Sequence, residues 1–467
     1  MVISFVVVLL AFLLVGISSV HRSRGTKEDY YLASSAVQPL FVGLSAVATN
    51  NSGYMFIGVI GYTYVTGLAS VWLMIGWILG DFLASAFIHS KLRSVTGRTK
   101  QVSFSGVLSN WDGNNNAVLQ RVMALISLFF LLAYASAQLV AGSKALHVLL
   151  NWPTWSGAVV GAVLVVCYCW AGGIRASIWT DVAQSLVMMI AMVLLLCVAV
   201  NFFGGTAGAL REMHSIEGFM DLFPKDLALP GLTGGLLFAM SWLFAGLSVI
   251  GQPHIMIRFM TLESTGQMYR ARFWYYIWFT IFYVLTVAVG MLSRIYLHDS
   301  TSFDAELALP TMAQQLLPGI GAGIVFAGIF AATMSTADSL ILSCSSAVTH
   351  DLLPHKIEDT RLIKTGTVFI TLVALFWALF NRQSVFQLVI LAWSGLASAF
   401  APLLIARCIG LHLTQAASVV AVLTGLGVAL GWRFLGWHAF VYEGMPGILA
   451  GLTVIGIAFV FLRRKTS

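Results

Sequence analysis

Long apolar runs recur from one end of the chain to the other, and only short polar segments separate them. Runs of about 20 apolar residues have the length of a membrane-spanning helix, whereas membrane barrels need short segments of alternating polarity. The pattern predicts an all-α integral membrane protein with about thirteen transmembrane helices. We place the spans at roughly 1–20, 36–61, 63–90, 118–149, 154–172, 176–203, 231–260, 269–297, 318–350, 362–380, 384–408, 413–434 and 444–462.

The second of these runs is interrupted in its middle by four consecutive polar residues, Thr49 to Ser52, and then by Gly53. One or two small polar residues in a membrane helix commonly serve helix packing, but four in a row favour local unwinding. Backbone groups freed by unwinding are not tolerated against lipid, although they are tolerated where they line a polar cavity. We therefore predict a broken helix whose freed backbone binds a ligand.

A second interruption, Gly251-Gln252-Pro253, lies inside the run at 231–260. Proline removes a backbone donor and clashes with the preceding turn, so an ordinary kink is the alternative interpretation. When the first run is left out, the two interrupted runs open two consecutive blocks of five. Broken helices at matching places in two halves indicate an inverted-repeat transporter with its site near the membrane midplane.

The run at 318–350 carries a third polar feature. Steps of three and four residues place on one helical face Ser335, Asp338, Ser339, Ser343 and Ser346. A packing face with one paired acid is the alternative, but a carboxylate inside the membrane is a functional candidate because it is costly to bury. Hydroxyl and carbonyl oxygens are the ligands that a hard cation such as sodium prefers. Asp181 is a further acid, and an interfacial position suits it about as well as a buried one.

Composition supports the membrane assignment, because 59% of the 467 residues are hydrophobic and only 9% are charged, against roughly 25% charged in soluble domains. The first run lacks the basic start and the cleavage site of a signal peptide. The positive-inside rule places the N terminus outside and the C terminus in the cytoplasm. On this topology Lys91, Arg175, Arg258 and Lys356 are cytoplasmic, and Arg382 is among the few outer basic residues.

Several classes of function are not favoured by this chain. The net charge of +7 follows from the topology, so it does not indicate a nucleic-acid partner. No phosphate-binding loop is present, no ring of like charges indicates a channel, and no nucleophile–base or metal constellation indicates an enzyme. Two longer outer segments, about 204–230 and 298–317, mix acids with apolar residues and are predicted to form short surface helices.

Several motifs resemble those of the sodium:solute symporter family, most closely its sodium/proline permease branch. They are LSAVATNNSG, WTDVAQ, GQPHIMIRFM, MSTADS, CSSAVTHDL, AWSGLASAFAP and YEGMPGILAG. The resemblance implies a leucine-transporter-type fold of five plus five helices in inverted repeat. It divides the chain into an extra first helix and linker at 1–35, repeats at 36–203 and 231–408, and two additional helices at 413–467.

The same resemblance implies a symporter of the cytoplasmic (inner) cell membrane that imports a small amino acid or other carboxylate with co-transported sodium. A proton-coupled transporter of the same fold and a transporter-like sensor are the alternatives. The implied sodium ligands are the carbonyls of Ala48, Asn51 and Ala332 and the hydroxyls of Ser335 and Thr336, with Asp181 near the release path. The implied solute site comprises Asn50, Ser52, Gly53, Tyr54, Tyr134, Ala245, Val249, Pro253 and Trp393.

Two departures from the proline-permease pattern change what we expect. Those permeases carry aspartate where this chain has Asn50, so a negative charge beside the ion is missing and weaker sodium affinity is expected. They carry tryptophan and tyrosine where this chain has Ala245 and Val249. The smaller side chains predict a larger pocket, in which proline would be a poor substrate and a bulkier solute would be preferred.

Overall fold

The structure, a computed structural model, describes residues 1–22, 24–114, 116–298, 303–353, 357–380 and 384–466. Lys356 and Arg382, which the charge pattern assigned to opposite sides of the membrane, lie outside the described residues. The α-helices of the described part are α1 Val2–Ser18, α2 Lys27–Leu32, α3 Pro39–Asn50, α4 Ile60–Thr66, α5 Val71–Thr99, α6 Phe104–Ser109, α7 Ala117–Leu150, α8 Thr154–Phe202, α9 Thr206–Ser215, α10 Gly231–Leu247, α11 Pro253–Met260, α12 Met268–Leu297, α13 Ala308–Leu316, α14 Gly319–Ser346, α15 Thr360–Phe380, α16 Val385–Cys408, α17 Gln415–Phe434 and α18 Gly444–Thr466.

Helix occupies every run that the apolar pattern identified. Ten helices in the described part of the chain are long and apolar enough to cross a membrane, and Val2–Ser18 and Pro39–Asn50 are shorter apolar helices. Two of the predicted spans, 154–172 and 176–203, fall within α8, and Gly173, at φ +57° and ψ −138°, breaks the helix between them. A side chain at this position would meet the Tyr30 carbonyl at 2.4 Å, so the kink requires glycine.

The distribution of polarity is that of a protein surrounded by lipid. Large apolar side chains face outwards, as with Phe369, Phe376 and Phe380 along α15, which are 66%, 64% and 70% exposed. Polar side chains are buried instead, and every residue of α14 from Val325 to Ser346 is buried. Helix α14 lies in the interior and packs against α1, α3, α7 and α8. The hydroxyl-rich face predicted for this helix therefore faces protein and not lipid.

Both predicted helix breaks are present. Helix α3 ends at Asn50, and Asn51 leaves helical geometry at φ −86° and ψ +64° before the chain resumes as a π-helical turn over Tyr54–Val59. Helix α10 passes through a short 3-10 turn to Gln252, which is extended at φ −96° and ψ +101°, and Pro253 then starts α11. We call Asn51–Gly53 the first break and Gln252 the second break.

Two segments at one end of the bundle form the short helices that the sequence predicts. Helix α9 follows Gly205, and the other segment forms a 3-10 turn over Ala305–Leu307 and then α13. We call residues 303–317 the lid segment. Residues 299–302 of the predicted loop lie outside the described residues.

Candidate ion and solute site

Oxygen atoms from α3 and α14 converge where α3 ends. The Ser335 hydroxyl lies 3.1 Å from the carbonyl oxygen of Ala48 and 3.1 Å from that of Ala332. One residue further along both helices, the Thr336 hydroxyl donates to the carbonyl of Thr49 at 2.9 Å. All of these residues are fully buried. The structure thus brings together four of the residues expected to bind sodium and adds the Thr49 carbonyl, which the sequence did not single out.

Asn51, the remaining residue expected to offer a carbonyl, is the first residue after α3. It is 1% exposed, and its backbone N–H still donates to the Val47 carbonyl at 2.8 Å. Among the described residues, neither the oxygen nor the nitrogen of its side-chain amide has a hydrogen-bond partner. Buried polar atoms of this kind are costly unless a ligand or water satisfies them. The unpartnered amide therefore indicates that the first break borders a polar ligand site.

On the other side of the first break, polar groups link α3 to α7. The Ser52 and Tyr134 hydroxyls lie 3.1 Å apart. The Gly53 backbone N–H donates to the side-chain oxygen of Gln138 at 2.9 Å, and the Tyr54 N–H donates to the Ser52 hydroxyl at 3.1 Å. Gln138 was not predicted from the sequence, although a side-chain amide inside an apolar helix is a signal that could have identified it. The Gly53 amide, part of the backbone expected to bind a ligand, thus donates to Gln138 in this structure.

Aromatic rings connect the second break to Tyr134. Tyr134 and His254, the second residue of α11, pack edge to face at 5.4 Å between ring centroids. The Trp393 indole N–H donates to the Ala245 carbonyl at 2.8 Å, and the Trp393 carbonyl accepts from the Gln252 amide at 2.9 Å. Tyr134, Trp393 and the residues beside Pro253 thus lie close together between the two breaks.

Ala245 and Val249, beside which the sequence predicts a larger pocket, are 0% and 1% exposed. The Trp393 indole donates to the Ala245 carbonyl, and its ring centroid is 5.2 Å from that of Trp77 on α5. Both residues are thus buried in a layer that contains these two indole rings. The larger pocket that the two substitutions indicate stays a prediction.

A column of stacked rings starts at Tyr54, next to the first break. Tyr54 stacks on Phe386 at 5.3 Å, and Phe386 stacks on Tyr62 at 5.1 Å with an angle of 4° between the ring planes. Tyr62 in turn lines a cavity of about 500 Å³, which we call the Tyr62 cavity, together with residues that include Phe219 and Arg294. The ring column therefore lies between the Tyr62 cavity and the first break.

A buried ionic cluster lies beside the oxygen atoms of α3 and α14. Arg258 of α11, which the charge pattern assigned to the cytoplasmic side, is fully buried. It lies 3.3 Å from Asp181 and 3.8 Å from Asp338, and its guanidinium also donates to the Ser177 and Ser339 hydroxyls. Two buried carboxylates thus compensate the charge of Arg258, and its side of the membrane stays a prediction. Asp181 is buried and not interfacial.

Asn50 is turned away from the Ser52–Tyr134 contact. Its side-chain amide donates to the Tyr275 hydroxyl on α12 and lies 3.5 Å from the Asp81 carboxylate on α5. Asp81 is fully buried. The sequence reasoning did not identify Asp81, although an acid inside an apolar run is a signal that could have found it.

Comparison with known proteins finds one family model and several relatives that match most of the chain. The family model described as the sodium:solute symporter family matches residues 30–431. The high-affinity proline transporter PutP of Bacillus subtilis is 28% identical over 450 residues, covering 94% of this chain and 93% of that protein. The sodium/proline symporter of Escherichia coli is also 28% identical, covering 100% of this chain and 93% of its own length.

Among solved structures, the substrate-bound outward-open state of a Na+-coupled sialic acid symporter matches with a TM-score of 0.80 at 20% identity, covering 97% of this chain and 96% of that one. The closed conformation of Mhp1, a nucleobase-cation-symport-1 family transporter, matches with a TM-score of 0.60 at 13% identity, covering 93% and 95%. At these identities the likeness establishes a shared fold.

Proposed function

The chain belongs to the sodium:solute symporter family and is a sodium-coupled transporter, and we propose that it imports a small amino acid. It is not an enzyme. Inward movement of sodium supplies the driving force. One charge crossing 100 mV is worth about 2.3 kcal/mol, and a tenfold gradient adds about 1.4 kcal/mol. Their sum, about 3.7 kcal/mol, supports accumulation of a few hundredfold.

The convergence of Ser335 with the Ala48 and Ala332 carbonyls is the observation that carries the sodium site in this proposal. Two hydroxyls and three carbonyls supply neutral oxygen ligands, which suit a hard monovalent cation. We assign the ion to the carbonyls of Ala48, Asn51 and Ala332 and the hydroxyls of Ser335 and Thr336. Asp181 lies one hydrogen bond from α3 through Ser45, which supports its place on the route that sodium takes when it leaves.

The solute site in this proposal is the volume between the two breaks, bordered by Ser52, Tyr54, Tyr134, Pro253 and Trp393. Proline is the first candidate solute, because the two proline transporters compared above align over at least 94% of this chain. The solute carboxylate would exchange with the Gln138 oxygen for the Gly53 amide, since anions bind well to freed amides at a broken helix.

The topology belongs to the same proposal. We assign about thirteen crossings, an N terminus outside, a C terminus in the cytoplasm, and inverted repeats at 36–203 and 231–408 in a cytoplasmic membrane. The matching positions of the two breaks in α3–α4 and α10–α11 support this arrangement. On this topology the lid segment and the Tyr62 cavity face outwards.

Uptake of labelled proline into proteoliposomes tests the proposal. Vesicles containing the purified protein are given an inward gradient of sodium, of potassium or of protons, with unlabelled amino acids and short carboxylates as competitors. We expect accumulation with sodium only and the strongest competition from proline. Equal uptake in the proton arm without sodium would contradict sodium coupling. A carboxylate that is not an amino acid and competes better than proline would contradict the assigned solute.

A further inference from the structure

A buried network of carboxylate, hydroxyl and amide groups joins the end of α3 to α5 and α12. Asp81 is fully buried. Its Oδ2 atom accepts from the Tyr275 hydroxyl at 2.6 Å, and its Oδ1 atom accepts from the Tyr276 hydroxyl at 2.8 Å. The Asn50 amide donates to the same Tyr275 hydroxyl and lies 3.5 Å from Asp81 Oδ2. The network thus connects a carboxylate to the last residue of α3.

The hydrogen bonds to Asp81 favour its ionised form. A carboxylate accepts hydrogen bonds, and each oxygen of Asp81 faces a tyrosine hydroxyl. The Asn50 amide donates to Tyr275, so the hydrogen of that hydroxyl is free to point at Asp81. Hydrogen bonds of this kind stabilise a carboxylate relative to its protonated form.

The charge of Asp81 is not neutralised by a direct ion pair. Within the described ranges, no basic side chain lies within the 4.0 Å ion-pair distance of this carboxylate. Arg272 approaches from the surface, but it packs over the Tyr276 ring at 5.5 Å and donates to the carbonyls of Phe82 and Ala86. Asp181 and Asp338, in contrast, share Arg258. Asp81 is thus an acid near the first break whose field is available to a cation.

We propose that Asp81 supplies the negative charge that sets sodium affinity at the first break, in place of a charge at position 50. The inference rests on the proposed sodium site. The Ala48 and Thr49 carbonyls precede Asn50 by two residues and one residue, which is about 3 Å or less along the helix axis. A unit charge about 10 Å from the ion changes affinity roughly tenfold at an effective dielectric constant of ~20. Asn50 is a positioning residue that holds the network against α3.

Moving the charge across the Asn50–Asp81 contact tests this inference. Asp81→Asn removes the charge and keeps the shape, and the double variant Asn50→Asp/Asp81→Asn returns a charge to the other side of the same contact. In sodium titrations of proteoliposome uptake, we expect the half-saturating sodium concentration to rise roughly tenfold in Asp81→Asn. The double variant should return to within about threefold of wild type. Tyr276→Phe, which removes a hydrogen-bond donor and no charge, is the control. It should shift the half-saturating sodium concentration less than Asp81→Asn does.

An unchanged half-saturating concentration in Asp81→Asn overturns the inference. A double variant that is no better than Asp81→Asn also overturns it, because the residue would then act through its hydrogen bonds alone. Where Asp81→Asn does not reach the membrane, sodium-dependent thermal stabilisation of the purified double variant decides. The sodium concentration that gives half-maximal stabilisation should match that of wild type. A concentration about tenfold higher contradicts the inference. Sodium-independent uptake by the wild-type protein would instead contradict the proposed function itself.

Discussion

The Arg258 guanidinium lies 3.3 Å from the Asp181 carboxylate, and neither side chain is exposed. Asp338 lies on the same cation at 3.8 Å. Arg258 belongs to α11, which follows the second break, whereas the two acids belong to α8 and α14. The helix after the second break is therefore held ionically to the two helices next to the proposed ion site.

We expect Arg258→Met to lower the stability of the protein by about 3–5 kcal/mol, because it leaves two carboxylates buried without a cation. Adding Asp338→Asn to that variant should recover part of the loss, since one of the unpaired charges is removed. Melting temperatures in detergent measure both effects. The exposed Arg270→Met is the control and should change stability by less than about 1 kcal/mol. Equal melting of Arg258→Met and wild type would show that the cluster does not stabilise the fold.

Gly53→Ala should abolish solute transport. A Cβ atom at this position would meet the Thr333 methyl group at 2.5 Å, the Gln138 oxygen at 3.0 Å and the Ala141 methyl group at 3.1 Å. These atoms surround the first break, so the added methyl group displaces the contacts that border the site. Gly427→Ala in α17 is the matched control, because no atom lies within 4 Å of its added Cβ. Labelled uptake and surface expression of both variants are compared, and full transport by Gly53→Ala would refute the assigned position of the site.

Glu306 fixes the lid segment to the ring column. Its carboxylate pairs with Lys144 of α7 at 2.7 Å and accepts the backbone N–H groups of Val385 and Phe386 at 3.1 and 2.9 Å. We expect Glu306→Gln to speed amide hydrogen exchange across residues 303–317, because the amide loses the charge and presents a donor to those N–H groups. Asp304→Asn removes a 47% exposed partner of Lys144. It should change the free energy of local opening of this segment by less than about 1 kcal/mol. Indistinguishable exchange in the two variants would rule out this anchoring role.

Features that depend on neighbouring residues were predictable from the sequence. Apolar run length located the helices, and Gly251, Gln252 and Pro253 marked the second break, because backbone propensity acts locally. The hydroxyl face of α14 followed from helical spacing alone. These signals were sufficient for the all-α architecture, for both breaks and for the direction in which the α14 hydroxyls point.

Contacts between distant segments were not predictable in the same way. The burial of Arg258 was not predicted because a count of basic residues carries no information on which acids they meet. Gln138 was missed because its partner, the Gly53 amide, lies 85 residues away. The contacts of Trp393 with Ala245 and with Trp77 join α16 to α10 and α5, so local sequence does not show them. Each of these features depends on tertiary packing.

In the proposed site, sodium binds between α3 and α14. Ser335→Ala/Thr336→Ala removes two of its proposed ligands, the hydroxyls that reach the Ala48 and Thr49 carbonyls. The control is Ser185→Ala/Thr371→Ala, which removes two hydroxyls that bond only to carbonyls of their own helices.

The decisive measurement is the sodium dependence of labelled solute uptake by these two double variants and wild type in proteoliposomes of equal protein content. We expect Ser335→Ala/Thr336→Ala to lose sodium-stimulated uptake while the control keeps it. Retention of the wild-type sodium dependence by Ser335→Ala/Thr336→Ala would show that sodium does not bind between α3 and α14.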